Sequence, residues 1–535
     1  MKRWIPLLLV AFGACGGESL PNVDLGEPLF ANFDEGVQCT LAQNFVPETR
    51  EEALAAVRWA IDRGHSVRAV SSPASCSEND VICPGDEGVL LNLSRMNRVL
   101  EVDEATQRIR VEPGVTTGEL GDALHEAGLS IRVNMPNRDF TVAGVIGTGA
   151  HHTSLRFPSG MHDYVEEIVL IDGLGELQTL TGDEAKGAAA HLGALGVIVE
   201  LTFQGEPEFK TLHQVVTGDD TDFENRIVDL AREHDYASFS WFPSQGSWTL
   251  RQHDIVPAAM PGEARNTSWE STVGEQRVQA RLADQTNRDP EGESTMCSIE
   301  TVRAADDTLS HVEADGTESE LETIGFSHQM FSSNCSGDEC PWAHVKIANP
   351  EIAIAVSDLP AWMTRVREIL VARPTCFPIN GIVIRFSAAS ESWIGMAAGE
   401  EVAHVEYHIV RHPDEGEHEQ FADAYDEIHQ MSLTEFDTRP HWGKNFAATF
   451  AAIDVAARYP RFGEFLALRD RLDPNRVFEN EFLRRVLGTA EMNFGPGCAV
   501  SRQCFCQEDS HCGLGRTCVP GSLITDARVC RRESR

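Results

Sequence analysis

The chain has 535 residues, 42% of them hydrophobic, enough for more than one packed domain because single cores stop growing near ~250–300 residues. With 83 acidic and 44 basic residues the formal net charge is −39, which repels nucleic-acid phosphates and anionic lipid and excludes direct nucleic-acid binding. Aromatic (7%) and charged (24%) contents are ordinary, so the acidity belongs to a folded surface and not to disorder.

Residues 1–15 open with Met1-Lys2-Arg3, run through an apolar stretch from Trp4 to Phe12 and end in Phe12-Gly13-Ala14-Cys15. This is the pattern of an export signal, about half as long as the ~20 apolar residues a membrane-spanning helix needs. The ending is lipobox-like, so Cys15 is the expected lipidation site, with ordinary signal cleavage as the alternative. The protein is then expected to be exported, a bacterial cell-envelope lipoprotein, periplasmic or surface-exposed, that meets the membrane only through its lipid.

Residues 16–44 are a polar tether. Thr49 and Glu52 form a capping-box pattern that starts a helix with Leu54, Val57 and Ile61 on one face and Gly64 as its stop. Strands are predicted at 67–70, 89–93, 99–103 and 108–112, and a helix at 119–127, and this alternation of strands with helices indicates an α/β layered domain over 45–205. A second domain covers 206–490, interrupted by an acidic insertion at about 263–325. Its densest part, 284–322, holds twelve acids and two arginines and is expected to be solvated. Beyond it come a strand at 351–356, a helix from Pro360 to about 370, alternating strands at 382–386 and 402–410, and a helix through 418–431.

In an oxidising compartment the 14 cysteines read as disulfides. Cys76 and Cys83 are near neighbours, as are Cys335 and Cys340. With Cys39, Cys297 and Cys376 they make seven in the body, which leaves one unpaired or crossing to a partner. The tail, 491–535, carries Cys498, Cys504, Cys506, Cys512, Cys518 and Cys530, whose 15 possible pairings the sequence does not choose between. It lacks paired C-x2-C spacing, so a disulfide-stapled cap or spacer is expected in place of a zinc site.

The stretches Val142-Ala143-Gly144-Val145-Ile146-Gly147-Thr148-Gly149-Ala150-His151-His152-Thr153 and His191-Leu192-Gly193-Ala194-Leu195-Gly196-Val197-Ile198 are rich in small residues that let backbone N–H groups approach a phosphate or flat ring. Neither has the spacing of a Rossmann or P-loop fingerprint. On the predicted strand 402–410, His404, Glu406 and His408 share one face. Without a second ligand set nearby no metal site is expected there.

Taken with Asn92-Leu93-Ser94-Arg95-Met96-Asn97-Arg98-Val99-Leu100, Val111-Glu112-Pro113-Gly114 and Thr141-Val142-Ala143-Gly144, these stretches resemble the PCMH-type FAD-binding domain of the vanillyl-alcohol oxidase superfamily. Trp241-Phe242-Pro243, Ser327-His328-Gln329-Met330-Phe331, Arg385-Phe386, Arg439-Pro440-His441-Trp442-Gly443-Lys444 and Leu472-Asp473-Pro474-Asn475-Arg476-Val477-Phe478 resemble its sugar-lactone and alditol oxidase branch, which includes L-gulonolactone and D-arabinono-1,4-lactone oxidases. The likeness covers most of 45–488 and leaves out the acidic insertion and the tail. It implies an α+β fold: a two-subdomain FAD-binding domain, a substrate domain built on a large antiparallel sheet, and the small disulfide-rich tail.

The resemblance maps FAD contacts to Ser71, Ser72, Ala74, Ser75, Thr141, Gly149, Ala150, His151, His152 and Ile198. Ala74 stands where relatives carry the flavin-linking histidine, so FAD is expected to be held without a covalent bond. Relatives carry Glu-x-Arg on a strand facing the flavin; here Arg385 is kept and Val383 replaces the glutamate. Arg385 and Lys444 are the implied catalytic cations, with His404 or Glu406 as the replacement proton acceptor and His441 as a support for Lys444. The expected activity is oxidation of a CH–OH group of a polyol, sugar or sugar lactone by hydride transfer to FAD, with oxygen or an envelope electron carrier as the final acceptor. The alternative is a catalytically degenerate flavin-binding or cell-surface binding protein that keeps the fold.

Overall fold

The computed structural model describes residues 21–32, 36–72, 77, 79–85, 87–265, 281–289, 292–305, 310–312, 318–320, 322–331, 345–414, 416–490 and 492–532. Cys15, Ala74, Ser75, Cys76, Cys335 and Cys340, and with them the export signal, lie outside the described residues.

Thr49 starts helix α1 (Arg50–Asp62) by accepting the Glu52 N–H at 3.2 Å, and Gly64 ends it with φ 72°. Its buried face is Ala53, Ala56, Val57 and Ala60, not the expected line through Leu54 and Ile61. The small alanines let the helix lie close on its sheet, and the larger residues flank the contact. That sheet has three parallel strands, β1 (Gln43–Val46), β2 (Val67–Val70) and β3 (Val89–Asn92), in the order β1-β3-β2.

The second subdomain is antiparallel, so the strand–helix alternation stops at β3. Strands β4 (Val99–Asp103), β5 (Arg108–Val111), β6 (Val165–Ile171), β7 (Leu177–Thr181) and β8 (Val197–Gln204) form a sheet ordered β7-β6-β8-β5-β4. Helix α2 (Thr117–Glu126) has a full capping box between Thr116 and Glu119, and α3 (Val142–Gly147) follows. The chain returns to this domain near its end: Val67 N–H donates to Val477 O at 2.8 Å, and Asn480 Nδ2 donates to the carbonyls of Asp80, Val81 and Cys83 at 3.0–3.1 Å.

The substrate domain is built on eight antiparallel strands: β9 (Phe209–Asp219), β10 (Tyr236–Phe242), β11 (Ser247–Pro257), β12 (Glu322–Phe326), β13 (Glu351–Ala355), β14 (Ile382–Ser387), β15 (Val402–Tyr407) and β16 (Arg439–Pro440). Their order is β12-β9-β11-β10-β14-β15-β13-β16. One face, with Phe239, Trp241, Ile382, Ile384 and Val405, belongs to the same core as residues of helices α5 (Leu359–Ala372) and α6 (Ala422–Glu435). The other face is polar and equally buried, because strand alternation places Ser240, Arg385, His404, Glu406 and Glu351 there.

The acidic insertion is not wholly solvated. Residues Gly292–Ala305 form helix α4, Glu300 and Arg303 in it are buried, and Cys297 is bonded to Cys376. Met296 and Ile299 join the substrate-domain core, which explains why a helix persists among so many charges. Cys83 pairs with Cys39, across 44 residues. In the tail the pairs are Cys498–Cys504, Cys506–Cys518 and Cys512–Cys530, and Glu427 of α6 accepts the N–H groups of Ser522, Leu523 and Ile524 at 2.6–2.8 Å. Among the described residues no helix is long and apolar enough to cross a membrane.

The Cys297–Cys376 bond closes a loop of 79 residues. Replacing both cysteines with alanine is expected to lower the unfolding free energy by about 4 kcal/mol through loop entropy, measured by denaturant unfolding of the two oxidised proteins.

Candidate active site

The register of the large sheet sets the site. Val383 lies opposite Glu406, and Glu406 opposite Glu351, so one line across three strands reads Val383, Glu406, Glu351. The next line on the same face reads Arg385, His404, Ala353. The carboxylate absent at position 383 is thus supplied by the facing strand, with a second one beyond it. β15 is an interior strand and its His404–Glu406 face is buried, not an exposed edge. Glu351 was not singled out in the sequence. Its only signal is a lone acid opening the otherwise apolar strand Glu-Ile-Ala-Ile-Ala.

Arg385 Nη2 donates to Glu351 Oε2 at 2.6 Å and to Glu406 Oε2. Lys444 Nζ donates to the same two oxygens at 2.7 Å each. Two cations and two carboxylates therefore close into one net. Burial by itself would raise Glu351, but Lys444, His151 and Arg385 outweigh it and hold that carboxyl well below its usual range. Glu406 ends above its usual range, because burial there exceeds the pull of Lys444 and Arg385 and Glu351 adds to it. Burial lowers Arg385 and Lys444, yet the two carboxylates more than reverse this and both stay charged. Burial drives His404 and His441 well below the usual imidazole range, so both are neutral at pH 7.

Three features hold this net in place. His151 meets Glu351 through Nε2 and stacks on His404 with ring centres 3.5 Å apart. Thr153 hydroxyl donates to Ala237 O and accepts Phe386 N–H at 3.0 Å. It thereby stands between β10 and β14 just beyond their last direct pair, Phe239 and Ile384. Ser154 then pairs with the end of β14, donating to Phe386 O at 2.8 Å and accepting from Ala388 at 2.9 Å. The turn carrying Lys444 is fixed by Asn445, whose Nδ2 donates to Glu351 O at 2.6 Å and His441 O at 2.9 Å. His441 Nδ1 also accepts Gly443 N–H at 3.1 Å.

His151, Glu351 and His404 bring possible ligand atoms within 4.8 Å of one another. The arrangement suits a metal ion poorly, since Arg385 and Lys444 already occupy Glu351 and would repel a further cation. His408 Nε2 lies 3.3 Å from Glu406 Oε1.

The expected cofactor stretches converge beside this net. Ser71 and Thr141 join through their hydroxyls at 2.6 Å, at the start of α3. Gly149, with φ 68°, follows α3, and Leu192 N–H donates to Gly147 O at 2.9 Å, which ties the 190–198 stretch to the same place. Ser72 adjoins Ser71, Ala150 follows Gly149, and Ile198 sits in β8 with its side chain in the core, leaving its backbone for any contact. His151 is committed to Glu351, on the substrate sheet. Several buried polar atoms here have no hydrogen-bond partner: Arg385 Nε, both ring nitrogens of His404, His152 Nδ1, His191 Nδ1 and Asn445 Oδ1. Such atoms are expected of groups that meet a bound polar molecule, so the residues present fit a flat, polar cofactor with many acceptors such as FAD.

Comparison with known proteins agrees. The D-arabinono-1,4-lactone oxidase family model matches residues 201–486 and an FAD-binding domain model matches 42–181. A model named L-gulonolactone oxidase 2-like, C-terminal domain, matches 495–532, which brings the tail inside the likeness that the sequence motifs confined to 45–488. Among similar proteins, probable L-gulonolactone oxidase 1 of Arabidopsis thaliana is 28% identical, covering 99% of this chain and 96% of its own. L-gulono-1,4-lactone dehydrogenase of Mycobacterium tuberculosis is also 28% identical, covering 86% and 99%. The solved structure of a solvent-stable cholesterol oxidase shares the fold with TM-score 0.67 at 16% identity, covering 88% of this chain and all of the other.

Thr153→Val keeps the side-chain shape and removes both hydrogen bonds, leaving the buried Ala237 carbonyl and Phe386 N–H unsatisfied. A loss of about 1–3 kcal/mol is expected, against little change in Thr153→Ser, checked by denaturant unfolding of the three proteins.

Proposed function

The chain belongs to the D-arabinono-1,4-lactone oxidase family, and from that premise we propose that it oxidises a CH–OH group of a small sugar lactone or related polyol at the Arg385–Glu351–Glu406–Lys444 net. It is an FAD-dependent oxidoreductase. Ser71, Ser72, Thr141, Gly149, Ala150, His152 and the backbone of Ile198 would hold FAD, which supplies the two-electron acceptor for hydride leaving the carbinol carbon. The FAD is held non-covalently in this reading, because the alanine side chain at position 74 has no nucleophile with which to form a link.

The observation that carries the reading is the pairing of a raised carboxyl with two fixed cations. Loss of hydride from a carbinol requires its hydroxyl proton to leave as well. Glu406 accepts that proton, and its raised pKa brings its basicity closer to working pH. Arg385 and Lys444 orient the hydroxyl and stabilise the negative charge that develops around it. The neutral rings of His404 and His441 bear on the same net without adding charge. Both an oxidase and a dehydrogenase stand among the similar proteins, and oxygen or an electron carrier of the cell envelope is the final acceptor. Export, with lipidation at Cys15, fits the basic-apolar start of the chain and the five disulfides among the described residues.

Purified protein is expected to show the flavin spectrum and to be bleached anaerobically by aldonolactones or polyols, with the rate of colour return in air separating oxidase from dehydrogenase. A protein that shows no flavin spectrum, even with added FAD, overturns this reading. Bleaching that persists in an Arg385→Ala, Lys444→Ala double variant removes the site assignment. Because the base must be ionised, kcat should rise with pH through the raised pKa of Glu406. Glu406→Gln should abolish that limb and lower kcat by ~10²–10⁴-fold.

A further inference from the structure

Arg385, Glu351 and Glu406 stand on strands of one sheet, whereas Lys444 stands on a turn between β16 and the short helix Ala447–Ala451. A lysine has a flexible four-carbon stem, so the placing of its ammonium depends on what fixes that turn. Asn445 and His441 tie it to Glu351 of the sheet, and Asn79 ties it to the cofactor-binding domain: Asn79 Nδ2 donates to Trp442 O at 2.7 Å and Asn445 O at 2.9 Å. The residues that follow it, Phe446 and Ala448, meet the cysteine-rich tail.

Arg502 lies in the short loop closed by Cys498–Cys504, in the left-handed region with φ 57°. Its carbonyl accepts Ala448 N–H at 3.2 Å, and its guanidinium lies over the Phe446 ring at 4.3 Å. The same guanidinium pairs with buried Glu419 and comes within 3.8 Å of Asp426 on α6. Burial would raise Glu419, but Arg502, together with His418 and Arg411, outweighs it and holds that carboxyl below its usual range. Two contacts from one residue thus reach Phe446 and Ala448 directly, while its pairing with Glu419 and its approach to Asp426 anchor that residue itself. We propose that the tail is a working part of the active site, in which Arg502 is the positioning residue that holds the Lys444 turn in register with Glu351 and Glu406. This rests on the reading of Lys444 given above.

The test uses the full mature chain with three substitutions: Arg502→Met, the milder Arg502→Lys, and Arg531→Met. Arg531 joins the tail to Asp423 of α6 at 3.0 Å and so reports loss of tail docking alone. Amide hydrogen exchange over residues 444–449 is read first, and turnover and its pH dependence second. Arg502→Met is expected to speed exchange there by about tenfold or more and to lower kcat ~10-fold while KM changes little, with Arg502→Lys in between. Lys444 is one of the charges that lower Glu406, so loosening it should move the acid limb of kcat to higher pH. Unchanged exchange at 444–449, an unmoved limb, or an equal loss in Arg531→Met overturns the assignment. Faster exchange in Arg502→Met alone, in protein that oxidises no lactone, upholds the positioning role and rejects the function reading.

Discussion

The structure depends on one costly arrangement, the burial of two cations and two carboxylates at a single point. Removing each such group from water costs several kcal/mol, and only mutual pairing with good geometry offsets it. Here the offset comes from a shared geometry: two oxygens, Glu351 Oε2 and Glu406 Oε2, each accept from both Arg385 and Lys444. Nothing in that net can move alone. Three strands must hold their register, the Lys444 turn must be fixed by Asn445 and Asn79, and the polar face of the sheet must be covered by the N-terminal domain. His151, Thr153 and Ser154 supply that cover.

The asymmetry inside the net is what makes it chemically useful. Two carboxyls side by side, equally buried, are driven in opposite directions, Glu351 down and Glu406 up. One behaves as a permanent counter-charge and the other as the group that can change protonation state, which is how paired acids divide roles in a shared environment.

Much of this was legible in the sequence, at the level where local chemistry decides. The Thr49 cap, the strands at 67–70 and 99–103, and the shared face of His404 and Glu406 follow from side-chain preference and periodicity. Arg385 and Lys444 were recognisable through family motifs. Glu351 was not, because its meaning comes from lying opposite Glu406 across a ladder that joins residues 55 positions apart, and register between distant strands leaves no local mark. The helix at 292–305 was hidden for a similar reason: its stabilisation comes from Met296, Ile299 and Cys297 reaching a distant core, while its composition reads as solvated. The role of the tail was hidden because one acid of α6, Glu427, is covered by tail backbone N–H groups in place of water.

The return of the chain to its first domain bears on the order of events during folding. Val477 completes the edge of the parallel sheet, and Asn480 ties down residues 80–83, next to the loop that begins at Ser71. A ribosome delivers the chain from its N-terminus, so the cofactor-binding domain stays unfinished until some 480 residues have emerged. Its cradle can close around a flavin only after the substrate sheet has been made. The two domains are therefore bound to assemble together, with the cofactor site among the last parts to become rigid.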